Sequence, residues 1–224
     1  MRIDNGNKLI LTGHVVPDTA SRTIWPEASV IPLIHSRTLL TVSSTSANDS
    51  STGTGARSVR IYGFLSTGEK SAIDVNTSGQ TGVSIGDGLV SISHAEVTYG
   101  TNAGIIRVGS GTITAGVPAI VYDHIAIGEG SSQSIRFTVP KGKNLHVKKI
   151  CLSRKVPHEL VVTIKRTDPR TSIVLDQFVY TSGLYTVEYD VSIVFKENET
   201  FTVEASNDSG SGEELYAKAF CELS

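Results

Sequence analysis

The chain is poor in sulfur and in aromatic rings. In 224 residues it holds two cysteines, one methionine and one tryptophan, and Phe, Trp and Tyr together make up 6%. Two cysteines cannot staple a small disulfide scaffold. Both have apolar neighbours (Ile150-Cys151-Leu152 and Phe220-Cys221), so both are expected to be buried free thiols. Net charge is also missing. Twenty Lys/Arg against 22 Asp/Glu leave −2, which disfavours a globally basic nucleic-acid binder. No apolar run approaches the roughly 18 residues of a membrane span. The first residues contain only Leu9, Ile10 and Leu11 as an apolar stretch, too short for a signal peptide. The expected compartment of synthesis is therefore cytoplasm-like, and the sequons at Asn48, Asn76, Asn198 and Asn207 carry no glycosylation meaning there. No stretch keeps a 3.6-residue apolar period over three turns, so long amphipathic helices are not expected.

What is abundant points the same way. Ser and Thr number 50, Val and Ile 43, and Gly 21. β-branched residues favour pleated strands, and the 39% hydrophobic content is too high for a disordered chain. Short strands divided by glycine-rich turns run from Leu39 to Ile113. From Ser131 onward the period-2 alternation sharpens: Ile135/Phe137/Val139, Leu160/Val162/Ile164, Tyr185/Val187/Tyr189/Val191, Phe201/Val203/Ala205 and Leu215/Ala217/Ala219/Cys221. Frequent turns between such strands indicate antiparallel sheets in a sandwich or barrel, not βαβ units. The expected fold is all-β, an antiparallel and jelly-roll-like β-sandwich. It divides into an N-terminal arm over 1–37, a β-rich domain over 38–130 and a C-terminal β-sandwich over 131–224. The first segment carries Trp25 beside Pro26, which disfavours helix there. It reads equally as a docking arm or as an edge strand.

The near-zero charge is a cancellation. From Lys141 to Arg170 nine Lys/Arg face Glu159 and Asp168, and from Thr171 to Ser224 ten Asp/Glu face Lys196 and Lys218. Such segments can pair within one sheet or meet across a subunit contact.

Catalysis needs convergent polar groups, and no local motif supplies them. His14, His35, His94, His124, His146 and His158 lack metal-ligand spacing. Gly53-Thr54-Gly55 and Gly109-Ser110-Gly111 fit no phosphate-loop pattern. The acidic run 207–214 lacks calcium-loop spacing. No catalytic, cofactor-binding or metal residue is assigned.

One segment carries a resemblance. Ser44-Thr45-Ser46-Ala47-Asn48-Asp49-Ser50 followed by Gly53-Thr54-Gly55-Ala56-Arg57-Ser58-Val59-Arg60-Ile61 resembles a signature of tailed-phage virion structural proteins, many from cyanophages and other aquatic phages. Ile24-Trp25-Pro26, Asn102-Ala103-Gly104-Ile105-Ile106 and Val139-Pro140-Lys141-Gly142-Lys143 accompany it, and the likeness is clearest over residues 23–155. The resemblance implies a virion component assembled in the host cytoplasm. Small β-rich proteins of such phages commonly decorate or cement the head, often as trimers. The expected partners are thus a major capsid protein and further copies of the chain, with no membrane and no specific nucleic acid. A neck, tail or fibre role, including a glycan-binding one with Tyr180, Tyr185 or Tyr189 as sugar platforms, is the alternative, and a polysaccharide hydrolase is a third reading. The expected interaction residues are Ile24, Trp25 and Pro26 as an anchor, with Arg57, Arg60, Lys141, Lys143, Lys148, Lys149, Arg154 and Lys155 as basic contacts.

Overall fold

A computed structural model describes residues 2–3, 8–15, 22–23, 34, 38–133, 135–154, 159–168, 171–181, 183–206 and 215–224. These form strands, turns and loops, with no helix among the described residues. In chain order the strands are β1 (Arg2–Ile3), β2 (Lys8–Val15), β3 (Arg22–Thr23), β4 (Leu40–Ser44), β5 (Ser58–Leu65), β6 (Lys70–Asn76), β7 (Val83–Gly86), β8 (Leu89–Tyr99) and β9 (Ile106–Thr114). They continue as β10 (Val117–Ile125), β11 (Arg136–Thr138), β12 (Leu145–Arg154), β13 (Leu160–Thr167), β14 (Ser172–Tyr180), β15 (Gly183–Phe195), β16 (Thr200–Ser206) and β17 (Leu215–Leu223). Every pairing between them is antiparallel.

The chain divides into two compact units, 1–29 with 133–224, and 30–132. Unit 1 is therefore discontinuous in sequence, and unit 2 occupies the chain between β3 and β11.

Unit 1 contains two sheets. One has the order β1-β2-β17-β12-β15, and the other the order β11-β16-β13-β14, with β3 added on β16. The alternation read from the sequence sets their faces. In β17 Leu215, Ala217, Ala219, Cys221 and Leu223 are buried while Tyr216 and Lys218 are exposed. Phe137, Leu160, Val162, Ile164, Phe201, Val203 and Ala205 line the inner face of the second sheet. The two sheets meet where Phe195 of β15 and Phe201 of β16 make an edge-on contact at 5.2 Å between ring centroids. Each such buried large side chain contributes roughly 1.5–3 kcal/mol relative to exposure. Val139 to Lys143 form a turn, with the Lys143 amide donating to the Pro140 carbonyl at 3.2 Å.

Two expectations meet a different arrangement here. Residues 8–15, assigned to a separate N-terminal arm over 1–37, form β2 and pair along β17, with Leu9 opposite Cys221 and Leu11 opposite Ala219. Leu9 and Leu11 are buried, so burial on this sheet is what holds the segment. The alternation around Tyr185 to Val191 suggested a buried face, yet β15 ends its sheet and is largely open, with Val191 84% exposed. The thiols are free, Cys221 buried and Cys151 only partly so. Cys151 lies opposite Lys218 on the outward side of β12.

Unit 2 contains the sheets β10-β9-β4-β7 and β6-β5-β8. One core joins them: Leu40, Val42, Ile106, Val108 and Ile125 from the first pack with Val59, Ile61, Val75, Leu89 and Ala95 from the second. A hairpin turn at Ser66 to Glu69 closes β5 onto β6, with Gly68 in the left-handed region at φ 85°.

Candidate interaction surfaces

The Ser44 to Arg57 run is a loop built around one carboxylate. Asp49 is fully buried. Its Oδ2 accepts from the Ser44 hydroxyl at 2.6 Å and the Gly104 amide at 2.9 Å, and its Oδ1 accepts from the amides of Ala56 at 2.8 Å and Ala103 at 2.7 Å. Asn102 continues the network, with its Nδ2 donating to the carbonyls of Gly104 and Ala126. Three loops, 45–57, 99–105 and 126–130, are thereby tied to one another at one end of unit 2. The glycines allow this close approach. At Gly100, with φ 87°, a Cβ would lie 2.3 Å from the Gly55 carbonyl oxygen. Gly100→Ala is expected to cost unit 2 about 2 kcal/mol, from the left-handed backbone alone, checked by chemical denaturation. On this rigid loop end Arg57 is exposed. Its Nε donates to the Gly53 carbonyl at 2.9 Å, and its guanidinium carbon lies 5.3 Å from the centroid of Tyr99, a ring 60% exposed. Ile127, in the adjoining loop, is exposed too.

The other expected contact residues are dispersed. Arg60 makes a two-bond pair with Asp74 across β5 and β6, at 2.7 and 2.8 Å. Lys141 and Lys143 flank the tight turn before β12. Lys148 pairs with Glu222, and Lys149 lies opposite Glu188. Arg154 is buried, so it presents no surface for a partner; its place at the inward end of β12 explains this. Ile24, Trp25, Pro26 and Lys155 lie outside the described residues. The opposed charge segments thus meet inside unit 1: Lys148 with Glu222 across β12–β17, and Lys165 with Glu204 across β13–β16, the latter at 2.5 Å.

Two further features were not foreseen. The first is a polar cluster within unit 2. Asp123 is fully buried and its pKa is pushed up to about 7 by that burial, with the Ser132 hydroxyl and the backbone of His124 and Ala95 pulling back only in part. Its Oδ2 has no hydrogen-bond partner among the described residues. His94 stacks flat on Tyr62 at 4.8 Å, and burial pushes it down to about 4. Tyr62 in turn donates to Glu96 at 2.6 Å. The second is the flank made by β14 and β15, the end strands of the two sheets of unit 1. Ile173, Val174, Val179, Leu184, Val191 and Val194 are all exposed on it. The signal was present in the sequence: these strands carry apolar residues at both odd and even positions, which a strand with one wet face does not need. Of the tyrosines considered as sugar platforms, Tyr180 is buried and donates to the Gly183 carbonyl, Tyr185 is exposed beside it, and Tyr189 reaches Asp176 at 3.0 Å. No group of three or more His, Cys, Asp or Glu that could hold a metal ion occurs among the described residues.

No family model and no curated protein matches the chain. Among solved structures it is similar to that of infectious bursal disease virus strain Gx, at 12% identity over 100% of this chain and 74% of that one, with a TM-score of 0.23. It is similar at the same identity to a mutant VP2 protein of infectious bursal disease virus in derived T=1 particles, over 100% of this chain and 71% of that one, with a TM-score of 0.22.

Proposed function

We propose that this all-β chain is a structural protein of a tailed-phage virion, a decoration or cement subunit that binds the outer head surface and has no enzymatic role. The observation that carries the reading is the strand order of unit 1. Taken as β2, β11, β12, β13, β14, β15, β16 and β17, the sheets β2-β17-β12-β15 and β11-β16-β13-β14 have the connectivity of an eight-stranded jelly roll, an architecture used by capsid and lectin domains. The run at Ser44 to Ile61 that resembles virion proteins adds to it, because Asp49 makes that run a rigid display of Arg57 and Tyr99. Arginine and tyrosine on fixed loops are the residue types that anchor protein contacts. The proposed partners are the major capsid protein and further copies of the chain, most simply a trimer. Membrane and specific nucleic acid are not among them, and the site of action is the virion. A standard contact buries about 1,600 Å², and repetition over a shell multiplies modest affinity.

Tyr185, exposed beside Tyr180 and Phe178, favours a second reading, a neck, tail or fibre component with a glycan-binding sandwich. Imaging of purified particles separates the two: a head role requires hundreds of copies on the shell, and a tail role on the order of six or twelve at its axis, as set by closed symmetry. Particles made without the protein are expected to release their genome to added nuclease at a lower temperature and at low salt. Equal resistance of the two particle types removes the cement reading.

A further inference from the structure

The loop end of unit 2 holds one arginine more firmly than an exposed side chain requires. Asp49 beneath it is buried, its two oxygens shared among four donors. Arg57 is fixed twice on this base: its Nε donates to the Gly53 carbonyl, and its guanidinium carbon lies 5.3 Å from the Tyr99 ring centroid. A long side chain rich in rotamers is thereby restricted before any partner arrives. Its two Nη groups have neither a hydrogen bond nor an ion pair among the described residues. We propose that this loop end is a docking surface whose centre takes a carboxylate side chain, Asp or Glu, of a partner protein, held by the Nη groups of Arg57 beside the Tyr99 ring. This rests on the virion reading above, in which the partner is the head surface, and names the chemistry that partner must present.

Three observations choose this occupant. The first is charge. The loops 45–57, 99–105 and 126–130 hold three ionisable side chains, Asp49, Arg57 and Glu129. Asp49 is buried and Glu129 half-buried, so Arg57 is the charged residue these loops expose. The complement of a neutral face with one cation at its centre is a single anion. The second is shape. A planar guanidinium with free Nη groups matches the two oxygens of a carboxylate through parallel hydrogen bonds, which a lysine cannot do. The third is the surround. Tyr99 and Ile127 are 60% and 63% exposed, and Thr54, Thr98 and Thr101 are exposed around them. Tyrosine and arginine anchors among small hydroxyl residues are the make-up of protein-binding loops. The fixed base adds to this, because side chains already ordered cost less to immobilise on binding.

The test is rebinding of the purified, fluorescently labelled full chain to particles made without it, measured by co-sedimentation over a range of protein concentrations. The wild type is expected to bind saturably. Arg57→Ala is expected to bind about thirtyfold or more weakly, the loss that follows when one member of a close charge pair is truncated. Arg57→Lys keeps the charge without the planar fork and recovers only part of it. Tyr99→Ala is expected to lose about tenfold. Both positions are exposed, so circular dichroism and melting temperature stay as in the wild type. Amidating the particles' carboxylates with a carbodiimide and glycinamide abolishes binding of the wild type, whereas acetylating their lysines does not, with imaging to show that both stay intact. Variants that rebind like the wild type overturn the proposal, and so do amidated particles that still take it up. An Arg57→Ala chain that rebinds normally but changes its own oligomeric state makes a second copy the occupant, and also overturns it. A wild type that never binds the particles is a separate result: it sinks the virion reading, and this proposal with it.

Discussion

Asp49→Ala is expected to unfold unit 2 near room temperature while unit 1 retains its sheets. The carboxylate is buried and accepts four hydrogen bonds, three of them from the backbone amides of Ala56, Ala103 and Gly104. Alanine leaves those donors enclosed without an acceptor. Each buried orphan costs about 1–3 kcal/mol, so the loss is on the order of 4 kcal/mol or more, against about 5–15 kcal/mol for a whole domain. With about 4–8 °C per kcal/mol for a unit of this size, the transition of unit 2 falls by roughly 20 °C. Calorimetry resolves it, and hydrogen exchange at Ala103 and Gly104 locates it. Ser44→Ala removes one donor and leaves the carboxylate its three amides, so its effect is expected to be a small fraction of that. Equal melting of Asp49→Ala and wild type would mean that the loop is held by its glycine packing and not by the carboxylate.

Asp123→Asn is expected to change how stability depends on pH. Asp123 keeps its proton in the folded chain up to about 7, against 3.8 for the free group. Between those values the folded state holds the proton that the unfolded state has lost, so this group's contribution falls as pH rises and is fully lost above about 7. His94 does the reverse. Its value is lowered from 6.5 to about 4, so the unfolded state takes up a proton first and stability falls as pH drops through that window. From about pH 4 to 6.5 the two slopes oppose, and wild-type stability is nearly flat. Asn at 123 removes one slope. The variant is expected to lose roughly 3 kcal/mol on acidification from pH 7 to 4, and to gain on the wild type near pH 8. Urea unfolding at pH 4.5, 6 and 8 measures it, and parallel pH profiles for the two chains would count against it.

The sequence carried the strands well where one face is wet and the other dry. In β17 and β13 the letters alternate as the burial does, and opposite charges mark which strands adjoin: the lysines of β12 and β13 found Glu222 and Glu204 on β17 and β16. The alternation failed at β15, because a strand at the end of a sheet has no neighbour to bury its second flank, and period 2 does not encode sheet order. The same limit hid β2. Leu9 and Leu11 are buried against a strand about two hundred residues away, and nothing local announces that. Asp49 was legible as part of a run of small polar residues but not as its centre. An Asp in a Ser/Gly loop is ordinarily solvated, and only the return of Ala103 and Gly104 encloses it. Asp123 and His124 gave no sign of burial in the sequence; both are buried, beside a register shift in the β9–β10 ladder between Val121 and Asp123.

The interrupted sequence of unit 1 has a kinetic consequence. Its strand β2 leaves the ribosome well before the partner that buries it, β17, which lies about two hundred residues further along the chain. Unit 2 lies wholly between them and is contiguous, so it closes its own core during synthesis, at a pace of about 5–20 residues per second. Until β17 emerges, Leu9 and Leu11 have no place to go, and the nascent chain is at its most aggregation-prone while unit 2 is already native. The late joining of β2 to β17 sets the order of folding: the inserted unit 30–132 first, the discontinuous unit last.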